Sequence, residues 1–218
     1  MKPAAFEYRR VSSVAEACQC LASEGENARI LAGGQSLVTV LNMRLAQPKI
    51  LLDISGCAEL SYIRAEKSYL AVGASTTQSQ LQQWNGLAAT HPLLHETLPF
   101  ISHFQIRNRG TVAGSIAHAD PSAELPLCLA TLGGEVILQS HKAKRALPAS
   151  EFLLGMLTTA KRNDELVTEV RFPHKKPAMP MPLMNSPCAG EISQLSPARL
   201  NLTPMRFGSA LAASRTGL

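Results

Sequence analysis

Pro177, Pro180, Pro182 and Pro187 place the strongest constraint on what this chain can fold into. Prolines so closely spaced remove backbone donors that a helix interior or a central strand requires. From position 177 to 218 the chain holds six of its 14 prolines and four of its seven methionines, and Glu191 is the one acidic residue there. No apolar period of 2 or 3.6 persists until Met205 to Ala213. The folded part is therefore expected within residues 1–176. Residues 177–218 are expected to form an irregular tail, disordered or out of frame, and a frameshift near Pro177 would explain the loss of pattern.

Within 1–176 the chain is apolar enough to build a core. The whole sequence is 45% hydrophobic and 17% charged, against a usual charged share of about 25%. That balance excludes intrinsic disorder over most of the length, and it excludes a coiled coil. No run of apolar residues is long enough for a membrane span. The opening MKPAAFEYRR has no apolar stretch of signal-peptide type. Five scattered cysteines, Cys18, Cys20, Cys57, Cys128 and Cys188, suit free thiols in a reducing cytoplasm. The net charge of +5 raises nucleic acid as a partner. The basic groups, Lys142 with Lys144 and Arg145, and His174 with Lys175 and Lys176, lack interleaved aromatic side chains, so a solvated loop and a solvated strand end explain them.

The elements alternate, then cluster. Phe6 to Arg10, Arg29 to Ala32 and Ile50 to Ile54 read as strands. Between them lie a helix opened by a capping box at Ser13 to Glu16, with Val14, Cys18, Leu21 and Ala22 on one face, and a short helix from Ser36 to Met43. A hairpin follows over Leu60 to Ala74, then helices at Thr77 to Trp84, Pro92 to Ile101 and Glu124 to Leu132. Strands at Glu135 to Gln139 and Glu165 to Phe172 close the series. This predicts an α+β fold with two subdomains, 1–57 and 58–176.

Two glycine segments carry the chemistry. In Ala32-Gly33-Gly34-Gln35-Ser36-Leu37 a strand enters paired glycines and then a helix start. Successive N–H groups can face one point there, with no Cβ to hold an anion away, and the helix start adds free donors. A phosphate or pyrophosphate fits that chemistry. The second segment, Asn108-Arg109-Gly110-Thr111-Val112-Ala113-Gly114-Ser115 continuing to Pro121, reads as an irregular run of small residues that lets the backbone approach a ligand closely. Neither is a G-x-G-x-x-G or a P-loop. Two such segments suggest a long, two-phosphate ligand between them.

Together with P-A-A-F-E-Y at the start and E-V-R-F-P at Glu169 to Pro173, these segments resemble the flavoprotein subunit of molybdenum hydroxylases, the carbon monoxide dehydrogenase and xanthine dehydrogenase family. The resemblance covers residues 1–176. It implies an FAD-binding domain of the vanillyl alcohol oxidase and p-cresol methylhydroxylase type. It also implies an iron–sulfur partner subunit and a partner subunit with the molybdenum cofactor, and electron flow through FAD to an external acceptor. By that resemblance Ala32 to Leu37 and Thr111 to Ser115 wrap the FAD pyrophosphate, and Glu124 bonds the ribityl or adenosine side. Ile101 touches the cofactor, and Lys161 stands where the family has Leu near the adenine. Gln35 replaces a frequent His and Ala113 a usual Gly, and the tail matches nothing in the family.

No residue is expected to be catalytic and none to bind metal. His91 and His95 have i, i+4 spacing, but Pro92 makes His91 a cap at a solvated helix start. A triad from Ser115, His118 and Asp120 lacks a nucleophile turn. Two rival readings remain: a remnant unable to retain FAD, and a flavoprotein of the same fold acting on another substrate.

Overall fold

The computed structural model describes residues 2–174. The expected tail over 177–218, and the frameshift reading attached to it, lie outside the described residues.

Three strands, β1 (Glu7–Arg10), β2 (Ala28–Leu31) and β3 (Ile50–Asp53), form a parallel sheet with β3 in the centre. Parallel neighbours need crossovers, and helices supply them. α1 (Val14–Glu24) joins β1 to β2, and α2 (Leu37–Asn42) lies between β2 and β3. All four residues of β3 are buried, as expected of a central parallel strand covered on both faces. Ser13 caps α1 by accepting from the Glu16 amide at 3.2 Å. The expected capping box is half formed: the Glu16 carboxylate reaches the amide and hydroxyl of Ser12, at 2.8 and 3.0 Å, rather than the amide of Ser13. The buried face of α1 is Val14, Ala17, Cys18 and Leu21, so Ala17 takes the place expected of Ala22.

The second sheet is antiparallel, in the order β4 (Ile63–Ala65), β5 (Tyr69–Gly73), β10 (Leu166–Pro173), β6 (Glu135–Gln139) and β7 (Lys144–Pro148). Between β5 and β6 the chain makes α3 (Gln78–Gln82), α4 (Leu87–Thr90), α5 (Pro92–Thr97), α6 (Phe104–Arg109), α7 (Val112–His118) and α8 (Glu124–Leu132). After β7 come the single turn α9 (Ala149–Phe152) and a small hairpin of β8 (Leu153–Gly155) and β9 (Thr158–Thr159). The first sheet uses residues 7–53 and the second 63–173, yet one apolar core runs through both. Cys18, Leu21 and Leu52 belong to the same buried cluster as Leu70, Ile116, Leu129, Val136 and Phe172.

Two sequence readings change here. The small-residue run after Gly110 is helix α7, not an irregular loop. Thr111 sits at its N-cap and accepts from the Gly114 amide at 3.0 Å, while Val112, Ala113 and Ile116 are buried against β5, β10 and α8. Local composition was overridden by a cap and a buried face. Lys144 and Arg145 are likewise not a solvated loop but part of edge strand β7, where alternate residues face out.

Arg145 forks onto Glu165, with Nε and one terminal nitrogen 2.7 and 2.9 Å from the carboxylate oxygens, and the Arg162 amide donates to the same group at 2.8 Å. Burial pushes the Glu165 carboxyl upward, but the bonds from Arg145 and Arg162 outweigh it and hold the group below its ordinary value. Removing Arg145 would leave that buried carboxylate short of its charge partner. Arg145→Met should cost roughly 3 kcal/mol in urea unfolding at neutral pH, the lower end for a broken buried pair. The Glu165 contribution is full above its unfolded value of about 4.3 and fades as pH falls through the depressed folded value. The gap between wild type and variant should therefore narrow in acid. A gap that widened there would contradict the pairing.

Candidate functional site: a phosphate cradle at the strand ends

All three strands of the parallel sheet end at the same side, at Arg10, Leu31 and Asp53. In open parallel sheets the space beyond the carboxyl ends of the strands is where ligands bind. Here it is a groove of about 440 Å3 lined by residues 31–35, Val38, Thr39, Asp53, Ser55 and Arg109. The first glycine segment forms its wall, and the residue two before Thr111 forms part of its rim.

Among the described residues, no backbone N–H from Ala32 through Leu37 donates to an acceptor within the chain. Residues 32–35 are half-buried and line the groove, and successive N–H groups without partners form a nest suited to an anion. Gly34 has φ +74°, the left-handed region that favours glycine. The Gln35 side-chain amide donates to the Gly33 carbonyl at 3.0 Å and closes the turn. Gln35 therefore fills its position with a local bond of its own. Ser36 stands at the N-cap of α2, but its side chain makes no capping bond there.

The reason for Gly33 differs from the sequence expectation. A Cβ at Gly33 would lie 2.2 Å from the Arg109 carbonyl oxygen and 2.7 Å from the Gly110 Cα, so its first conflict is with protein backbone and not with a bound anion. Gly33 is where the two glycine segments touch.

The second segment presents fewer donors than expected. The Val112 amide donates to the Thr76 carbonyl, the Gly114 amide to Thr111 Oγ1 and the Ser115 amide to the Thr111 carbonyl. Thr111, Val112 and Ala113 are buried, whereas Gly114, Ser115, Ala117 and His118 are half-buried. Ala113 is helical with negative φ, so an alanine costs nothing there. Ile101 is buried at the end of a short helical turn, and its carbonyl accepts from Arg107 at 2.9 Å. Glu124 is half-buried in the first turn of α8, after an Asp120 to Ser122 turn closed by bonds of 2.9 and 2.6 Å. Lys161 directs its ammonium onto the carbonyls of Arg162 and Glu165, at 2.9 and 3.3 Å. Burial, helped by the nearby Arg29 charge, lowers its pKa.

Asp53 and Ser55 were absent from the sequence reading of the site, and Arg109 stood in its second segment with no role of its own. Asp53 is buried, accepts from the Tyr8 hydroxyl and from the Ser55 amide at 2.8 Å. Burial drives its carboxyl upward, but the bonds from Tyr8 and Ser55 with the Arg10 charge overcome that and leave it below the ordinary range. The signal available was position: each of these residues closes or follows a strand or helix beside a glycine segment. His91, expected at a solvated helix start, is instead buried, and both ring nitrogens are engaged, by the Phe172 carbonyl at 3.0 Å and the Thr90 hydroxyl at 3.1 Å.

The described part is thus a mixed parallel and antiparallel domain with an anion cradle at the strand ends. The model of the FAD binding domain in molybdopterin dehydrogenase matches residues 4–175, and the chain belongs to that family, an FAD-binding fold of the type expected, with FAD as its cofactor. It is 41% identical over 173 residues to the 6-hydroxypseudooxynicotine dehydrogenase complex subunit alpha of Paenarthrobacter nicotinovorans, covering 79% of this chain and 58% of that protein. It is 38% identical to the carbon monoxide dehydrogenase medium chain of Hydrogenophaga pseudoflava, covering 79% and 60%. Among solved structures, quinoline 2-oxidoreductase from Pseudomonas putida 86 superposes with a TM-score of 0.78 at 38% identity, covering 82% of this chain and 61% of that one. The chain spans about three fifths of the length of these relatives. No helix among the described residues is long and apolar enough to cross a membrane.

The backbone contact at Gly33 leaves no room for a methyl group, whereas Gly155, which like Gly33 has no positive φ, has open space around its missing Cβ. Gly155→Ala should therefore stay within about 0.5 kcal/mol of wild type. Gly33→Ala must push residues 109–110 away, at a cost of roughly 1–3 kcal/mol. Thermal unfolding of both variants checks the difference. Equal losses would show that the 33 to 109 contact yields freely.

Proposed function

We propose that this chain is the FAD-binding subunit of a molybdenum hydroxylase. In such an assembly FAD, when bound, supplies two-electron redox chemistry. An iron–sulfur partner subunit delivers electrons that a molybdenum-cofactor subunit has taken from substrate, and an external acceptor removes them. The relatives support the assembly by their own names, one a medium chain and another a subunit of a dehydrogenase complex. The observation that carries the reading is the run of free amides from Ala32 to Leu37, of which residues 32–35 line the groove.

The task of this chain is to bind and orient. The six amides of residues 32–37 hold the diphosphate. The half-buried face of α7, with Gly114 and Ser115, approaches from the second segment, and Thr111, Val112 and Ala113 hold that helix in place from the core side. Glu124 accepts from cofactor hydroxyls, and Ile101 offers apolar contact. Lys161 turns its ammonium onto backbone carbonyls, so its aliphatic stem can stand where relatives of this type have an apolar side chain. The division into an FAD-binding subdomain over 1–57 and another over 58–176 follows the change from one sheet to the other.

Charge-assisted bonds to a phosphate contribute about 1.5–3 kcal/mol each before desolvation and lost freedom are subtracted. Several of them support a dissociation constant on the order of 1 µM. Titration of the full chain with FAD, followed by quenching of flavin fluorescence, should show saturable binding near that strength. Gly34→Val should abolish it with unchanged helix content, because that residue needs positive φ and its side chain would press on Leu31 and Val38. Absence of saturable binding by the wild-type chain, or undiminished binding by the variant, would overturn the assignment.

A further inference from the structure

Of the residues that line the strand-end groove, Arg109 is the one cation and Asp53 the one anion. Asp53 is occupied: Tyr8 and Ser55 donate to it and hold it in the wall. Arg109 is in a different state. Its side chain is exposed at the end of α6, and among the described residues its guanidinium donates to no acceptor and joins no ion pair. Its neighbour Arg107, by contrast, is fully used, bonding Gln82 and the carbonyls of Pro99, Ile101 and Ser102. Two arginines two residues apart on one short helix thus do different work, one tying down the preceding loop and the other without a protein partner on a residue that lines the groove.

The backbone of Arg109 is placed with little freedom. Its carbonyl lies against Gly33 so closely that a Cβ there could not fit, the Gly110 amide donates to Ile106 at 2.6 Å, and the Gly110 carbonyl accepts from Gln78 at 2.8 Å. A guanidinium without a protein partner, carried by a backbone fixed at the rim of the groove whose wall holds the unpartnered amides of residues 32–35, is matched to a group with several anionic oxygens. A planar fork of donors suits phosphate better than any single point charge.

We propose that Arg109 is a cofactor-binding residue that supplies the side-chain positive charge for the diphosphate held by the 32–37 nest. This rests on the FAD assignment made above and extends it. Arg109 would close over the diphosphate from the rim while the amides hold it from the wall, so retention would depend on ionic strength. The nest alone offers partial charges, which discriminate a diphosphate from a neutral ligand weakly. The guanidinium adds a full charge and hence selectivity for the phosphorylated form.

The test uses the full chain as wild type, Arg109→Gln and Arg109→Lys, each titrated with FAD and with riboflavin at several salt concentrations. Arg109 meets Gly33 through its backbone only, so both substitutions leave that contact intact, and thermal unfolding verifies it. Arg109→Gln should weaken FAD about tenfold or more, the loss of one charge-assisted contact, and should flatten the dependence of FAD affinity on salt. Riboflavin binding should stay the same, and Arg109→Lys should fall between wild type and Arg109→Gln for FAD. Wild-type FAD binding that Arg109→Gln leaves unaltered, in strength or in salt dependence, would overturn this inference and leave the FAD assignment standing. Equal weakening of FAD and riboflavin would also overturn it, since no phosphate contact would then be involved. A wild-type chain that fails to bind FAD at all would overturn both.

Discussion

The contact between Gly33 and the Arg109 carbonyl is the constraint on which the site depends. It joins segments 76 residues apart in sequence, the turn after β2 and the end of α6, with no atom between the backbones that a side chain could replace. Because the contact is backbone to backbone, the chain gains a fixed spacing between the nest and the rim of the groove without relying on a side-chain rotamer. The Gly110 bonds to Ile106 and Gln78, and the Val112 bond to Thr76, extend that rigidity into α7 and α3. A site that must hold a long ligand is more precise when its supports are of this kind.

The two glycine segments look alike in composition and differ in hydrogen bonding. In the first, six consecutive amides stay free; in the second, the amides at 112, 114 and 115 are spent on Thr76 and Thr111. Donors left free beside a groove are available to a ligand, so the first segment bears the stronger mark of a binding function. The second does the work of a foundation. Thr111 caps α7, and Val112 and Ile116 seat the helix in the core that also holds Phe172. Its small residues serve packing on one side and access on the other.

Most of the architecture was legible from periodicity and punctuation. The parallel strands, the hairpin at Leu60 to Ala74, α8 over Glu124–Leu132 and β6 over Glu135–Gln139 all follow from apolar runs bounded by turn residues. What escaped were the elements whose stability is tertiary. α7 contains Gly and Ser and no 3.6 pattern long enough to recognise, and only burial against β5, β10 and α8 makes it a helix. Edge strand β7 is charged at Lys144 and Arg145, and its placement depends on pairing with β6 and on Glu165, 20 residues away. At the site, the glycine segments were visible as residue types, but the role of Gly33 was not. Steric exclusion by a distant carbonyl leaves no trace in local sequence. Asp53 was missed, and Arg109 was read as part of a segment without a role, for the same reason, since each is defined by what the fold brings beside it.

The same electrostatic accounting explains how a carboxylate can stand in the wall of an anion cradle. An unshielded Asp53 would repel a diphosphate across the groove. Its oxygens instead receive the Tyr8 hydroxyl and the Ser55 amide, and Arg10 lies close enough to lower its pKa. The negative charge is thereby spread into donors on the protein side and stays bound to the ends of β1 and β3. Lys161 shows the converse, a cation whose charge is drawn onto two carbonyls. With the Asp53 charge committed inward, the groove is lined by the free amides of residues 32–35 and by Arg109 at its rim, and polarity at the strand ends is set by which groups the fold leaves without partners.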